Sequence, residues 1–261
     1  MKGAGLLNLH VRLYSDKKSP PLVILHGLFG SSDNWHSLAN LFAQTHFVLV
    51  PDARNHGLSP WNDHSDYPAM AEDTVELLRQ HDIVSTSVLG HSMGGKTAME
   101  TALLYPESVD KLIVVDIAPK SYPGHHDAIF SALASLDPAD FTSRKQIDEA
   151  LRLKVPEEGL RNFLLKNLRR NAGGTFSWKM NFNGIRANYG NILAGIPGGR
   201  TYTKPVLFIR GELSVYIGMD DLNEISGLFP AAELVTIQGA GHTVHADKPD
   251  KFAEIVEGFL S

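Results

Sequence analysis

A strand that is apolar at nearly every position needs cover on both of its faces. This chain carries a series of short strand-like runs of that kind. LVILH (22–26) is the clearest, and HFVLVP (46–51), STSVLG (85–90), KLIVVD (111–116), PVLFIR (205–210) and AELVTI (232–237) follow it. LLNLHVRLY (6–14) reads as an opening strand or hairpin arm. Helical patterns separate several of these runs. Trp35, Leu38 and Phe42 share one face of NWHSLANLFAQ, with Ser31, Ser32 or Asp33 in position to cap it. Met70, Thr74, Leu77 and Leu78 share a face of 67–80, and Phe252, Ile255, Val256 and Phe259 repeat at helical spacing near the C-terminus. Strands alternating with helices specify an α/β fold with a mostly parallel sheet covered on both sides.

The stretch between Asp116 and Pro205 breaks this rhythm. It contains no convincing strand and three helical patterns, DPADFTSRKQIDEALRLK, PEEGLRNFLLKNLRR and FNGIRANYGNIL. The basic segment KNLRR (166–170) reads as a solvated helix end. An ordinary crossover needs far fewer residues. Residues 119–203 are therefore expected to form a helical lid inserted before the penultimate strand. Its place is the carboxyl edge of the sheet, where open α/β sheets bind ligands. Residues 1–118 and 204–261 make up the expected core, and 261 residues suffice for one large domain carrying such an insertion.

Charge and composition narrow the function. The formal net charge is −5, which argues against nucleic acid as a partner. There are no cysteines, so disulfides, thiolate metal sites and a cysteine nucleophile are excluded. No run approaches a membrane span, and the first residues show no signal-peptide pattern, so a cytoplasmic protein without membrane insertion is expected.

One motif carries chemistry. Gly90-His91-Ser92-Met93-Gly94 matches G-x-S-x-G between a strand and a helix, which is the context that motif requires. A nucleophile in so sharp a turn needs small neighbours, and Gly90 and Gly94 supply them. A serine nucleophile needs a base, and the base needs an orienting acid. His242 lies in the glycine-rich loop GAGHTVHADKP (239–249), with His245 as its rival. A metal reading of His242, His245 and Asp247 lacks the H-E-x-x-H pattern and sits in a loop, so no metal is expected. The acid is expected at Asp116, which ends the run LIVVD beside the nucleophile strand. Glu212, in the run GELS that follows the penultimate strand, is the runner-up. Asp220 and Asp221 fall further along, in the next helix. Two backbone N–H groups are expected to hold the oxyanion, those of Met93 and of Leu28, the latter preferred to Phe29. Arg54-Asn55-His56-Gly57 and Ser59 read as a stiffened loop, and His125 and His126 as surface or pocket-lining groups.

LHGLFGS (25–31), PDARNHGLS (51–59), GHSMGG (90–95), VDIAP (115–119) and GAGHTVHADKP (239–249) stand in order along the chain. Together they resemble the α/β-hydrolase superfamily, and more narrowly the small bacterial esterases and thioesterases related to the abhydrolase-domain 11 protein. The resemblance covers most of the chain and is weakest across 120–203. It implies Ser92 as nucleophile, His242 as base, a structural role for His245, and the position of Asp116 for the acid. It implies a serine hydrolase of carboxylic esters or acyl thioesters that needs no cofactor. The mixed aromatic and basic side chains of 119–203, among them Phe163, Trp178, Lys166 and Arg186, would suit an acyl chain beside an anionic head group, although most of the aromatics are expected to form that segment's own core. Carbon–carbon bond hydrolysis, a lyase reaction on the same fold, or ligand binding with a vestigial triad are the alternatives. Nothing in the residues points to a peptidase or a lipase.

Overall fold

The computed structural model describes residues 6–261; residues 1–5 of the expected core lie outside the described residues. The strands are β1 (Val11–Tyr14), β2 (Pro21–Leu25), β3 (Phe47–Pro51), β4 (Thr86–His91), β5 (Val109–Val115), β6 (Leu168–Arg170), β7 (Phe176–Trp178), β8 (Val206–Gly211) and β9 (Ala232–Ile237). Seven of them form one sheet in the order β1-β3-β2-β4-β5-β8-β9. β1 pairs antiparallel with β3, and every other pair in this sheet is parallel. Of the run 6–14, only Val11–Tyr14 becomes strand.

The apolar runs sort by the period of two that a strand imposes. Val23, Leu25, Leu49, Val88, Leu112, Val114 and Phe208 face one core. Leu22, Ile24, Val48, Val50, Leu89, Ile113, Val115, Leu207 and Ile209 face the other. Helices α2 (Tyr67–Gln80) and α3 (Met93–Leu104) cover the first face; α1 (His36–Phe42) and the C-terminal helix Pro249–Leu260 cover the second. α2 begins where Asp66 accepts the Ala69 N–H at 2.9 Å, and it buries Met70, Thr74, Leu77 and Leu78 as its spacing predicts. Ser31 opens a 3₁₀ turn, Ser32–Trp35, that leads into α1; the Asn34 side chain accepts the Ser31 N–H at 2.8 Å. Among the described residues, no helix is long and apolar enough to cross a membrane.

The segment between β5 and β8 holds α4 (Asp127–Ala134), α5 (Arg144–Leu151), α6 (Glu158–Leu165), α7 (Phe182–Ala187) and α8 (Tyr189–Leu193). It also holds a correction. β6 and β7 pair antiparallel, so the segment is not free of strands, and KNLRR is not a helix end. α6 stops at Leu165, and Leu168–Arg170 turn back as the first arm of this hairpin. Strands of three residues leave no readable alternation. The remaining helices are α9 (Leu222–Leu228), α10 (Val244–Asp247) and α11 (Pro249–Leu260). Asp220 and Asp221 fall in a 3₁₀ turn just before α9 rather than in the helix itself.

The loops after β2, β4, β5 and β9 leave the sheet at its carboxyl edge. They carry Leu28, Ser92, Asp116 and His242 respectively.

Candidate active site

Ser92 sits between β4 and α3 with φ 54° and ψ −118°. A non-glycine residue rarely occupies that region, and it persists only where the surroundings impose it. Here the imposition is steric. A Cβ on Gly90 would stand 2.1 Å from the Gly94 carbonyl oxygen, and one on Gly94 would stand 2.3 Å from that of Leu25. The turn therefore closes only with glycine at both places. The Ser92 N–H donates to the Val115 carbonyl at 3.0 Å, which ties the turn to β5.

Asp116 follows β5 directly and is fully buried, with φ 51°. Its Oδ1 accepts the Gly211 N–H at 3.0 Å. Its Oδ2 accepts hydrogen bonds from His242 Nδ1 at 2.7 Å and from the Ser214 hydroxyl. Ser214 thus donates to the same carboxylate oxygen that His242 contacts. Glu212 accepts the Gly239 N–H at 2.8 Å and makes no contact with His242.

His242 is braced from two sides. The Tyr216 ring stacks on its imidazole, centroids 3.8 Å apart and planes 16° from parallel. His91 Nε2 donates to the His242 carbonyl at 2.9 Å. Burial holds His91 well below the usual histidine range, so its ring is neutral and the donated proton fixes its tautomer. His245 packs edge-on against His91, centroids 4.7 Å apart, and makes no hydrogen bond to Asp116 among the described residues. It stacks on Trp35 at 4.2 Å, and burial pushes it down to about 4. Asp247 accepts the Gly241 N–H at 2.8 Å and thereby shapes the loop. Among the described residues, Ser92 Oγ and His242 Nε2 take part in no hydrogen bond. Bonds of this kind often tighten only when substrate is bound.

The loop after β2 is held by a histidine as well. Ala53 N–H donates to His26 Nε2 at 2.9 Å, so His26 carries its proton on Nδ1 and donates it to the Gly27 carbonyl at 2.8 Å. Gly30 N–H closes the turn on that same carbonyl at 2.9 Å. Asn167, from the segment after β5, donates to the Phe29 carbonyl at 2.7 Å. Leu28 and Met93 line one cavity with Ser92. The loop after β3 is stiffened as its sequence suggests. Arg54 pairs with buried Asp73 through two bonds of 2.7 and 2.8 Å, and Asn55 takes a bond from Asn181 at 3.0 Å.

The cavity spans about 360 Å³ with its open mouth included. Tyr67, Lys96, Ile117, Tyr122 and Ile192 line it together with His125, His126 and Tyr216. His125 and His126 are pocket-lining: His125 Nε2 accepts the Tyr216 hydroxyl at 2.6 Å, and burial pushes His126 down to about 4. Lys96, Tyr216 and His91 were not singled out from sequence. Lys96 left one signal, a cation in the small and apolar run MGGKTAM.

The chain was compared with known proteins. A family model described as the alpha/beta hydrolase fold matches residues 20–249. The mouse protein named sn-1-specific diacylglycerol lipase ABHD11 is 41% identical over 257 residues, covering 95% of this chain and 83% of its own length. Esterase YbfF of Escherichia coli is 38% identical over 244 residues, covering 92% and 93%. A solved structure titled marine microorganism esterase is 43% identical with a TM-score of 0.94, covering 97% of this chain and 99% of that one.

Proposed function

Because the chain belongs to the α/β-hydrolase family and is an esterase-type hydrolase, we propose that Ser92, His242 and Asp116 form its catalytic triad and pass the substrate through an acyl-enzyme. The observation that carries this reading is the 2.7 Å bond from His242 Nδ1 to the buried Asp116 carboxylate. With Nδ1 so engaged, the neutral imidazole offers a lone pair at Nε2, the nitrogen that takes the Ser92 proton.

Ser92 Oγ attacks the acyl carbonyl as its proton passes to His242 Nε2. The N–H groups of Leu28 and Met93 hold the oxyanion; Met93, the first residue of α3, adds the positive end of the helix. The tetrahedral intermediate collapses with cleavage of the bond to the alcohol or thiol, which leaves with the proton from His242. Water, deprotonated by the same imidazole, releases the acid and restores Ser92. Asp116 stabilises the imidazolium in both halves without taking its proton. The segment 119–203 acts as the lid, since Tyr122, His125, His126, Tyr189 and Ile192 close the cavity above Ser92. A cavity of about 360 Å³ favours short acyl groups.

The test is hydrolysis of p-nitrophenyl esters from acetate to palmitate, with acyl-CoA thioesters alongside, by the protein and its Ser92→Ala variant. Turnover should peak at short chains and fall at least about a thousandfold in the variant. Turnover that survives in the variant overturns the nucleophile. A burst that stops after one equivalent favours ligand capture, and inertness toward both ester series favours carbon–carbon bond chemistry.

A further inference from the structure

Lys96 lies in the first turn of α3, four residues beyond Ser92, whose carbonyl accepts the Lys96 N–H at 3.1 Å. Its side chain is buried, only 1% exposed, and it lines the cavity. A buried ammonium is costly unless a counter-charge compensates it. Here none does. Its partners are two backbone carbonyls, Lys120 at 2.7 Å and Ala194, both from the segment after β5. The Tyr122 ring lies 4.8 Å from Nζ and the Tyr67 ring 5.5 Å. Both phenols are engaged elsewhere: Tyr67 donates to the Ile192 carbonyl at 2.5 Å, and Tyr122 to that of Tyr216 at 2.6 Å.

The carboxylates around it are either spoken for or distant. Asp116 is bound to His242, Ser214 and Gly211. Asp221 pairs with Lys120 at 2.8 Å. Glu224 acts on Lys96 through its field without an ion-pair contact, and burial pushes the ammonium down to about 8. The cavity is thus lined both by Ser92 and by a cation that has no ion-pair partner among the described residues.

We propose that Lys96 is the receptor for the tail of the acyl group, and that the cavity takes short acyl chains ending in a carboxylate, with succinyl and glutaryl esters as the matched class. This rests on the reading of Ser92 as nucleophile. The scissile carbonyl lies at Ser92, and the terminal carboxylate accepts from Lys96 Nζ, which completes the ion pair that the folded chain leaves open. The Cα atoms of Ser92 and Lys96 stand about one helical turn apart, roughly 6 Å, a separation suited to a short acyl chain rather than to palmitoyl. The competing role for Lys96 is that of a strap, holding the segment after β5 to α3 through the two carbonyls alone.

The two roles differ in what they discriminate. We would measure kcat/KM for p-nitrophenyl hydrogen glutarate and the neutral p-nitrophenyl pentanoate, with wild type, Lys96→Gln and Lys96→Met. Wild type should prefer the glutarate by about ten- to hundredfold, the worth of a charge-assisted bond. Both variants should erase that ratio. A strap would change both substrates alike and leave the ratio where it was, which overturns the proposal. If the variants do not fold, wild type still decides. Glutaramate should inhibit p-nitrophenyl butyrate hydrolysis at a concentration about tenfold below that needed of pentanamide, and equal inhibition overturns the receptor. Ser92-dependent turnover without any carboxylate preference overturns the receptor alone. Absence of Ser92-dependent turnover on every ester overturns the nucleophile along with it.

Discussion

Replacing Asp116 by asparagine keeps the shape of the site and changes a single chemical property. Asparagine tolerates the positive φ of 51° at this position, so the backbone is not strained. Its side-chain oxygen can still accept the Gly211 N–H, now 3.0 Å from Oδ1. The amide NH₂ then stands where Oδ2 was, facing His242 Nδ1 and the Ser214 hydroxyl. Donor meets donor unless His242 moves its proton to Nε2, and that tautomer presents an N–H to Ser92 and cannot take its proton. A wrong-tautomer histidine costs about 10⁴ in kcat in serine hydrolases, equivalent to about 5 kcal/mol at 1.36 kcal/mol per decade. KM should hold, because no cavity contact is altered. Glu212→Gln serves as the paired control. Glu212 is exposed and accepts from the Gly239 N–H and the Gln238 side-chain amide, both in the loop before His242, so its loss should change kcat by no more than about threefold. The assay is initial rates on p-nitrophenyl butyrate, with thermal melts to confirm that both variants fold. If Asp116→Asn keeps more than about a tenth of wild-type kcat, or Glu212→Gln loses more than Asp116→Asn does, the assignment of the acid is wrong.

Gly94→Ala should destabilise the fold as well as the site, since the new Cβ meets backbone at 2.3 Å rather than a movable side chain. Overpacking of this kind costs about 3 kcal/mol, which lowers Tm by roughly 6–12 °C in a chain of this size; a melt within about 2 °C of wild type would contradict the close packing of β2 on α3. Acid should weaken the fold through its buried neutral histidines. Burial lowers His56 to about 3, His245 to about 4, and His26 and His91 in the same direction. The unfolded chain takes up these protons near pH 6.5 while the folded chain does not, so the stability they contribute is whole above about 6.5 and drains away as pH falls toward the folded values. His56 alone should withdraw about 2 kcal/mol between pH 6.5 and 5. Urea midpoints at pH 7.5 and pH 5 check this, and an unchanged or higher midpoint at pH 5 would refute it.

The sheet was legible because its strands are buried on both faces, and burial on both faces writes itself as uninterrupted apolar runs such as LVILH and LIVVD. Ser92 was legible because the steric demand of its turn falls on neighbours in sequence, Gly90 and Gly94. Asp116 was legible because a carboxylate ending an apolar strand must be spoken for, and it is bonded to His242, Gly211 and Ser214. The hairpin β6–β7 was not, since each arm is three residues long and its pairing is fixed by neighbours such as Asn167, which bonds Lys179 and Phe29. His91 and Tyr216 were invisible for a different reason, and Lys96 showed only as a cation in an apolar run. Each acts on a partner far away in sequence, His91 on the carbonyl of His242, Tyr216 on its ring, and Lys96 on carbonyls of the segment that follows β5. No local pattern records such pairings.

The central claim is that Ser92 is a nucleophile activated by His242. Treating the protein with a fluorophosphonate and weighing the intact chain and its peptides tests that claim most directly. The account predicts one covalent adduct per chain, on the peptide containing Ser92, formed in step with the loss of ester hydrolysis and absent from the Ser92→Ala variant. An adduct on another residue that tracks the loss of activity, or full inhibition with no adduct on Ser92, would contradict it.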